Sequence, residues 1–275
     1  MMATVRHPAV AGRFYPRQPA VLLAEVKAYL SPYAAAADRE MKTAIGCVVP
    51  HAGYIYSGAV AGAVFAKLAA PRRCILMCPN HTGYGKALAI MSRGAWETPL
   101  GAAAIDSELA DTLKAQFAGL EEDVEAHRSE HAAEVELPFL QAREAHFTFV
   151  PIAIGTGQFE VLAALGQAIG EVVAMQPERV LIITSSDMNH YENDAITRIK
   201  DHKAIERILA LDARGLFDVV KKEQISMCGF GPTVAMLTAA KRLGASEAQL
   251  VKYATSGDVS GDRDMVVGYA GIIVR

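Results

Sequence analysis

His51, His81, Asp187 and His190 each follow a short apolar run: AIGCVVP leads into His51, CILMCPN into His81, and VLIITSS into Asp187 and His190. If these runs are neighbouring parallel strands, their polar tips meet at the carboxyl edge of the sheet, where open α/β folds bind ligands. Neutral imidazole nitrogen is a borderline donor and a carboxylate adds charge, so such a cluster suits a divalent transition metal, with Zn, Fe and Cu all compatible. A single histidine past a strand is more often a surface or satisfied structural group. Repetition at equivalent places favours a shared site.

The turns around these residues are glycine-rich, with Gly53 and Gly58 after His51 and Gly83 and Gly85 after His81, and they leave room for a ligand against the backbone. Tyr54, Tyr56 and Tyr84 could wall the pocket; half-buried packing with a satisfied hydroxyl is the equal alternative. Cys228 lies in SMCGFGP just ahead of a helix expected near Thr233, where helix-terminal amides favour thiolate over thiol. A buried structural cysteine fits the same pattern. His131 opens an expected helix and could face the pocket, while His202 sits on a charged helical face suited to solvent. His7, His127 and His146 have no supporting neighbours.

The elements that must position these groups alternate along the chain. Apolar runs at 44–49, 74–78, 147–154, 180–184 and 250–255 read as strands buried on both faces. Helical patterns occupy 20–30, 57–69, 106–117, 134–144, 159–175, 194–211 and 233–243, with Ser57 as a cap and Gly244 as a stop. Residues 265–274 read as a last strand. The expected fold is α/β, a single three-layer α/β/α domain over residues 1–275 with a mostly parallel or mixed central sheet. No linker or repeat interrupts it, and low complexity is confined to the alanines at 34–37.

Composition narrows the function. Of the 275 residues 52% are hydrophobic and 21% charged, a globular balance. A formal net charge of -3 with no basic tract argues against nucleic acid as a partner. The longest uncharged apolar stretch falls far short of the ~20 residues that span a bilayer, and no signal-like segment opens the chain, so a cytoplasmic, membrane-free protein is expected. Four cysteines are too few for a disulfide framework. Cys47, Cys74 and Cys78 read as buried small hydrophobes, the last two on one strand face.

Seven motifs in order, RHPAVAGRFYP at 6–16, PHAGYIYSG at 50–58, PNHTG at 79–83, EH at 130–131 with LPFL at 137–140, SSDMNHY at 185–191, MCGFGP at 227–232 and ATSGDVSGD at 254–262, resemble the Memo family nearly end to end. That family includes protein B of the AmmeMemoRadiSam system. The resemblance implies a fold like the class III extradiol dioxygenases and a metal held by His51, His81 and Cys228. Asp187 and His190 would stand beside the metal, His190 resembling the dioxygenases' acid/base histidine and Asp187 orienting its ring or completing the metal shell. Tyr54 and His131 would contact substrate. Those dioxygenases bind Fe(II) with two histidines and a glutamate, whereas Cys228 takes the third place here, so ring cleavage does not carry over with the fold. What remains is a 2-His-1-Cys site for Fe(II) first, then Cu or Zn. It would serve a metal-dependent redox enzyme acting on a small molecule, a peptide or a modified protein chain. The alternatives are a noncatalytic metal carrier, a peptide-binding module, or a Zn-dependent hydrolase. The resemblance also implies an AMMECR1-domain protein and a radical SAM enzyme as partners.

Overall fold

The computed structural model describes residues 4–33 and 44–275, so the alanine run at 34–37 lies outside the described residues. Its strands in chain order are β1 Val5–Arg6, β2 Gly46–Val49, β3 Arg73–Pro79, β4 Leu88–Ile90, β5 Ala95–Thr98, β6 Gly101–Ile105, β7 Glu121–Glu122, β8 Thr148–Ile154, β9 Val180–Ser185, β10 His190–Glu192, β11 Ala248–Thr255 and β12 Val266–Val274. They form one sheet whose main order is β1-β5-β6-β8-β3-β9-β2-β12-β10, with β11 pairing β12 and β4 joining β7 to β8. The centre, β8-β3-β9-β2, is parallel throughout. The antiparallel pairs β12-β2 and β5-β6 make the sheet mixed.

The central strands are apolar on both faces because helices cover both. Ile75 and Met77 of β3 point into one hydrophobic cluster, with Val48, Val150, Ile152 and Ile182. Cys74, Leu76 and Cys78 point into the other, with Cys47, Val49, Phe149 and Ile183. This period-two partition puts Cys74 and Cys78 on one face, as their spacing requires. Helices Phe159–Ala174 and Phe230–Arg242 supply the first layer, and Pro19–Leu30, Tyr54–Lys67 and Leu137–Arg143 the second. Helix Tyr54–Lys67 lies so close to Pro19–Leu30 that a Cβ on Gly62 would stand 2.6 Å from the Tyr29 carbonyl oxygen.

Several details depart from the sequence pattern; strands β4, β5 and β6, for instance, are not among the expected elements. Helix Tyr54–Lys67 begins three residues before Ser57, with Gly53 at its cap position, and the Ser57 hydroxyl instead donates to the Ala52 carbonyl at 2.8 Å. Helix Ala213–Lys222 is not among the expected elements; only Leu216 and Val220 are buried on it, which leaves a thin apolar stripe. The expected helix at 134–144 opens as a tighter 3-10 turn, Glu134–Glu136, before Leu137–Arg143.

That turn carries a buried carboxylate that ties down the start of the chain. Glu134 is fully buried and pairs with the guanidinium of Arg6. It also accepts from the Ala9 amide at 2.8 Å, the Val10 amide at 3.1 Å and the Tyr15 hydroxyl at 2.5 Å. Arg6 donates in addition to the carbonyls of His127 at 3.0 Å and Glu130 at 2.6 Å. A buried ion pair is tolerable only when its remaining donors and acceptors are filled in this way.

Candidate metal centre

His51 stands two residues past β2, His81 two past β3 and Asp187 two past β9, and the sheet order β3-β9-β2 makes these strands neighbours. The register sets Val49 beside Ser185 and Met77 beside Thr184, so the strand ends are level. Cys228 arrives from a different part of the chain, on the loop before helix Phe230–Arg242. Gly229 lets that loop touch β9: a Cβ there would meet the Ser186 side chain at 2.4 Å. The thiol sulfur of Cys228 then lies 3.2 Å from His51 Nε2. One donor atom each from His51, His81 and Cys228 lie within 4.8 Å of one another.

The two imidazoles are held differently. His51 is buried, and its Nδ1 lies 2.9 Å from the Ser185 hydroxyl. That hydroxyl is also 2.6 Å from the Ala132 carbonyl and 2.8 Å from Glu136 Oε1. Burial, with the nearby charge of Asp187, holds the Glu136 carboxyl well above the usual range, against a smaller lowering by Ser185. A neutral carboxyl can donate, so one consistent assignment has Glu136 and His51 Nδ1 donating to Ser185 while Ser185 donates to Ala132. Burial, then the charges of His131, His81 and His190, keep the His51 imidazole well below the ordinary histidine range. A neutral imidazole in this tautomer presents its Nε2 lone pair toward Cys228.

His81 is partly exposed and leans on a carboxylate. Its Nδ1 lies 2.9 Å from Glu130 Oε1 and its backbone amide donates to Glu130 Oε2 at 2.6 Å. Burial alone would lower this imidazole, but the hydrogen bond and charge of Glu130 outweigh it, and its pKa is raised. Glu130 is itself fully buried, with the Ala132 amide donating to it at 2.9 Å. In both histidines the Nδ1 edge is occupied by protein and Nε2 remains, which is how metal-bound imidazoles are usually oriented. Two imidazoles and a thiol so arranged fit a transition metal.

The remaining expected residues divide. His131 lines the pocket, its ring stacked on His81 at 4.9 Å between centroids. His190 lines it too, anchored by Ser226, whose hydroxyl accepts from the His190 amide at 2.7 Å and whose carbonyl lies 2.9 Å from Nδ1. Asp187 does not orient His190: its Oδ1 accepts from the His51 amide at 2.8 Å, and burial, opposed by the amides of His51 and Ala52, pushes its carboxyl up to about 7. Tyr54 does not reach the pocket. It starts a helix, so its side chain turns into the core, where the hydroxyl donates to the Val135 carbonyl at 2.6 Å. Tyr56 and Tyr84 are outside the lining as well. Burial and the charge of Asp187 raise the Cys228 pKa, so without a metal the group is a thiol, not the thiolate expected from the helix end. Ser185, Glu130, Glu136 and Ser226 are the site residues that the strand-end pattern passes over.

The pocket holds about 580 Å³. Phe14, Tyr191, Val267 and Tyr269 complete its wall, and no lysine or arginine lines it among the described residues.

A family model described as Memo-like protein matches residues 6–273. The chain is 43% identical over 279 residues to a MEMO1 family protein of Methanopyrus kandleri, covering 98% of this chain and 99% of that one. It is 44% identical over 272 residues to one of Methanosarcina mazei (98% and 99%), and 40% identical over 273 residues to one of Methanothermobacter thermautotrophicus (97% and 99%). Among solved structures, an uncharacterized protein from Escherichia coli K12 shares the fold with a TM-score of 0.50 at 12% identity, over 81% of this chain and 98% of that one. A match over nearly all of its length, with relatives of this similarity, means that the chain belongs to the Memo family.

Proposed function

We propose that the chain is a metal-dependent enzyme in which His51, His81 and Cys228 hold one transition-metal ion, Fe(II) first and Cu or Zn as the alternatives. Its reaction is a redox step on a small molecule or a modified protein segment. The observation that carries this reading is the convergence of three donor atoms within 4.8 Å of one another on the wall of an open pocket. Three protein ligands leave positions for water or substrate, the pattern of catalytic sites; a closed four-ligand shell would be structural. A bound redox metal would supply electron transfer and polarise whatever occupies those positions.

The chain's own residues do the rest. His51 presents a neutral Nε2 because Ser185 occupies Nδ1, and His81 presents Nε2 because Glu130 occupies its other nitrogen. His190 stands outside the three-donor group, and burial keeps its imidazole below the ordinary range despite opposing hydrogen bonds to Ser226 and Met188. A neutral imidazole can accept a proton from a substrate at Nε2 while Ser226 fixes its ring, so His190 is proposed as the proton-transfer group. Asp187 fixes the His51 backbone. Aromatic ring cleavage is left out of the proposal, because the softer thiolate changes the metal from the dioxygenase type. The proposed setting is the cytoplasm, with an AMMECR1-domain protein and a radical SAM enzyme as partners. No helix among the described residues is long and apolar enough to cross a membrane.

Elemental analysis and spectra of protein purified without oxygen test the reading. One redox metal per chain, lost in His51→Ala, His81→Ala and Cys228→Ala, supports it; full occupancy in all three variants overturns it. Zn alone, with no redox metal, would favour the hydrolase reading. His190→Gln should keep the metal while slowing turnover roughly 100- to 10,000-fold. Loss of metal in that variant would make His190 a ligand.

A further inference from the structure

Among the described residues three other than glycine have positive φ: Leu211 at 55°, Gln224 at 52° and Tyr191 at 61°. The first two end helices. After Asp194–Leu209, the Leu211 amide bonds the Ile208 carbonyl at 3.0 Å and the Asp212 amide bonds that of Arg207 at 2.9 Å. After Ala213–Lys222, the Ile225 amide bonds the Val220 carbonyl at 3.0 Å. Left-handed residues closing helices in this way are ordinary, and their cost is offset by carbonyls that would otherwise lack partners.

Tyr191 has no such explanation. It sits in β10, where the register against β12 slips between His190 and Glu192, so it is the extra residue of a β-bulge. A bulge of this kind takes a left-handed residue, and glycine adopts that conformation without strain. A bulky aromatic does so at a cost. Packing does not hold it there: Tyr191 is 71% exposed, and its hydroxyl has no hydrogen-bond partner among the described residues. Yet it belongs to the wall of the metal pocket, beside His190, the two rings 5.6 Å apart.

Apart from the edge of the His190 ring, the Tyr191 side chain is left open toward the pocket, where a ligand can cover it. We propose that Tyr191 is a substrate-binding, specificity-determining residue, whose exposed ring stacks on an uncharged aromatic ring of the substrate as the substrate's polar end faces the three donors. The pocket's composition supports that class of ligand. Phe14 and Tyr269 add aromatic faces, and among the described residues no lysine or arginine lines the wall to draw an anion. Among the described residues the one carboxylate in the lining, Asp187, is turned to the His51 backbone and is not presented to a cation. This deepens the enzyme reading above and rests on it for the substrate's place, but its own evidence is the backbone and exposure of Tyr191.

The test uses the metal-free full chain, so that it does not depend on metal identity. Phenol and cyclohexanol, matched in size and hydroxyl but not in planarity, are titrated into wild type, Tyr191→Ala and Tyr191→Gly and followed by chemical shifts of pocket residues. Phenol is expected to bind wild type more tightly than cyclohexanol. Loss of the ring should weaken phenol roughly three- to tenfold, the size of one aromatic stacking contact, and leave cyclohexanol unchanged. Tyr191→Gly should unfold at a higher temperature than Tyr191→Ala, because only glycine releases the strain. Equal phenol affinity in all three proteins, or binding away from the pocket, overturns the proposal; a Gly variant less stable than the Ala variant removes its premise. Failure of wild type to retain metal would count against the enzyme reading and would move none of these measurements.

Discussion

His51 and His81 occupy equivalent places two residues beyond adjacent parallel strands, and their surroundings give them opposite tendencies. His51 is sealed among neutral groups, Ser185 and behind it Glu136, and burial lowers its pKa. His81 is open to solvent on one side and backed by Glu130, which raises its pKa. The strand end decides where an imidazole stands; the residue behind it decides its charge. His51 could take a metal without losing a proton, whereas His81, below its raised pKa, would have to exchange one.

The largest expected effect removes the common partner of both. Cys228→Ala deletes the donor 3.2 Å from His51 and should reduce metal affinity more than 100-fold, as a ligand loss exceeds the roughly 10- to 100-fold typical of a supporting residue. Competition against a chelator of known affinity measures it; a change under tenfold would place the metal elsewhere.

Next is Glu130→Gln, which keeps a hydrogen-bonding side chain but removes the charge behind His81. It should cost about 10- to 100-fold in metal affinity. If Ser185→Ala costs as much, the contrast between the histidines is wrong.

Proton release sharpens the contrast further. Below its raised pKa, His81 is protonated and competes with the metal, and the Cys228 thiol must also lose its proton. His51, already neutral, contributes nothing near neutrality. Affinity should therefore climb with pH at about two protons per metal below the His81 pKa and about one above it. In Glu130→Gln that break should move to lower pH, since the charge that raised it is gone. A single slope through the whole range in wild type would equate the two histidines.

The smallest effect on affinity is expected for Ser185→Ala. It removes one neutral hydrogen bond from His51, worth about fivefold. Its stability cost is larger, because the Ala132 carbonyl and Glu136 also lose their partner in a buried place. Urea unfolding of the metal-free variant should show a loss of roughly 1–3 kcal/mol.

The positions of His51, His81 and Asp187 were legible in the sequence because β2, β3 and β9 are short apolar runs that end at those residues, and both sheet faces are covered. Cys228 was legible only through the motif at 227–232, since the loop that brings it to His51 is 177 positions away along the chain. Glu136 ends the 3-10 turn and Glu130 precedes it, and both look like ordinary charged residues until the fold buries them. Tyr54 misleads for the reverse reason: its glycine-rich neighbourhood looks like a pocket turn, but the helix starts at that residue and rotates it inward. Tyr191 follows His190 in a motif, and nothing in residue type announces its left-handed backbone. Local pattern fixes strands and their ends; which buried groups meet behind a ligand depends on contacts across the whole fold.

The Glu134 anchor and the Cys228 loop have a consequence for the order in which a newly made chain can mature. Arg6 must wait for Glu134, 128 positions later, and His51 for Cys228, 177 positions later. At about 5–20 residues per second, a ribosome makes the second wait roughly ten to several tens of seconds. Throughout that time the nascent chain carries at most the two histidines of the metal group, without the thiol. If the three donors hold a metal as proposed, loading through all of them belongs after synthesis has passed residue 228, and a chain terminated before that point lacks the third donor.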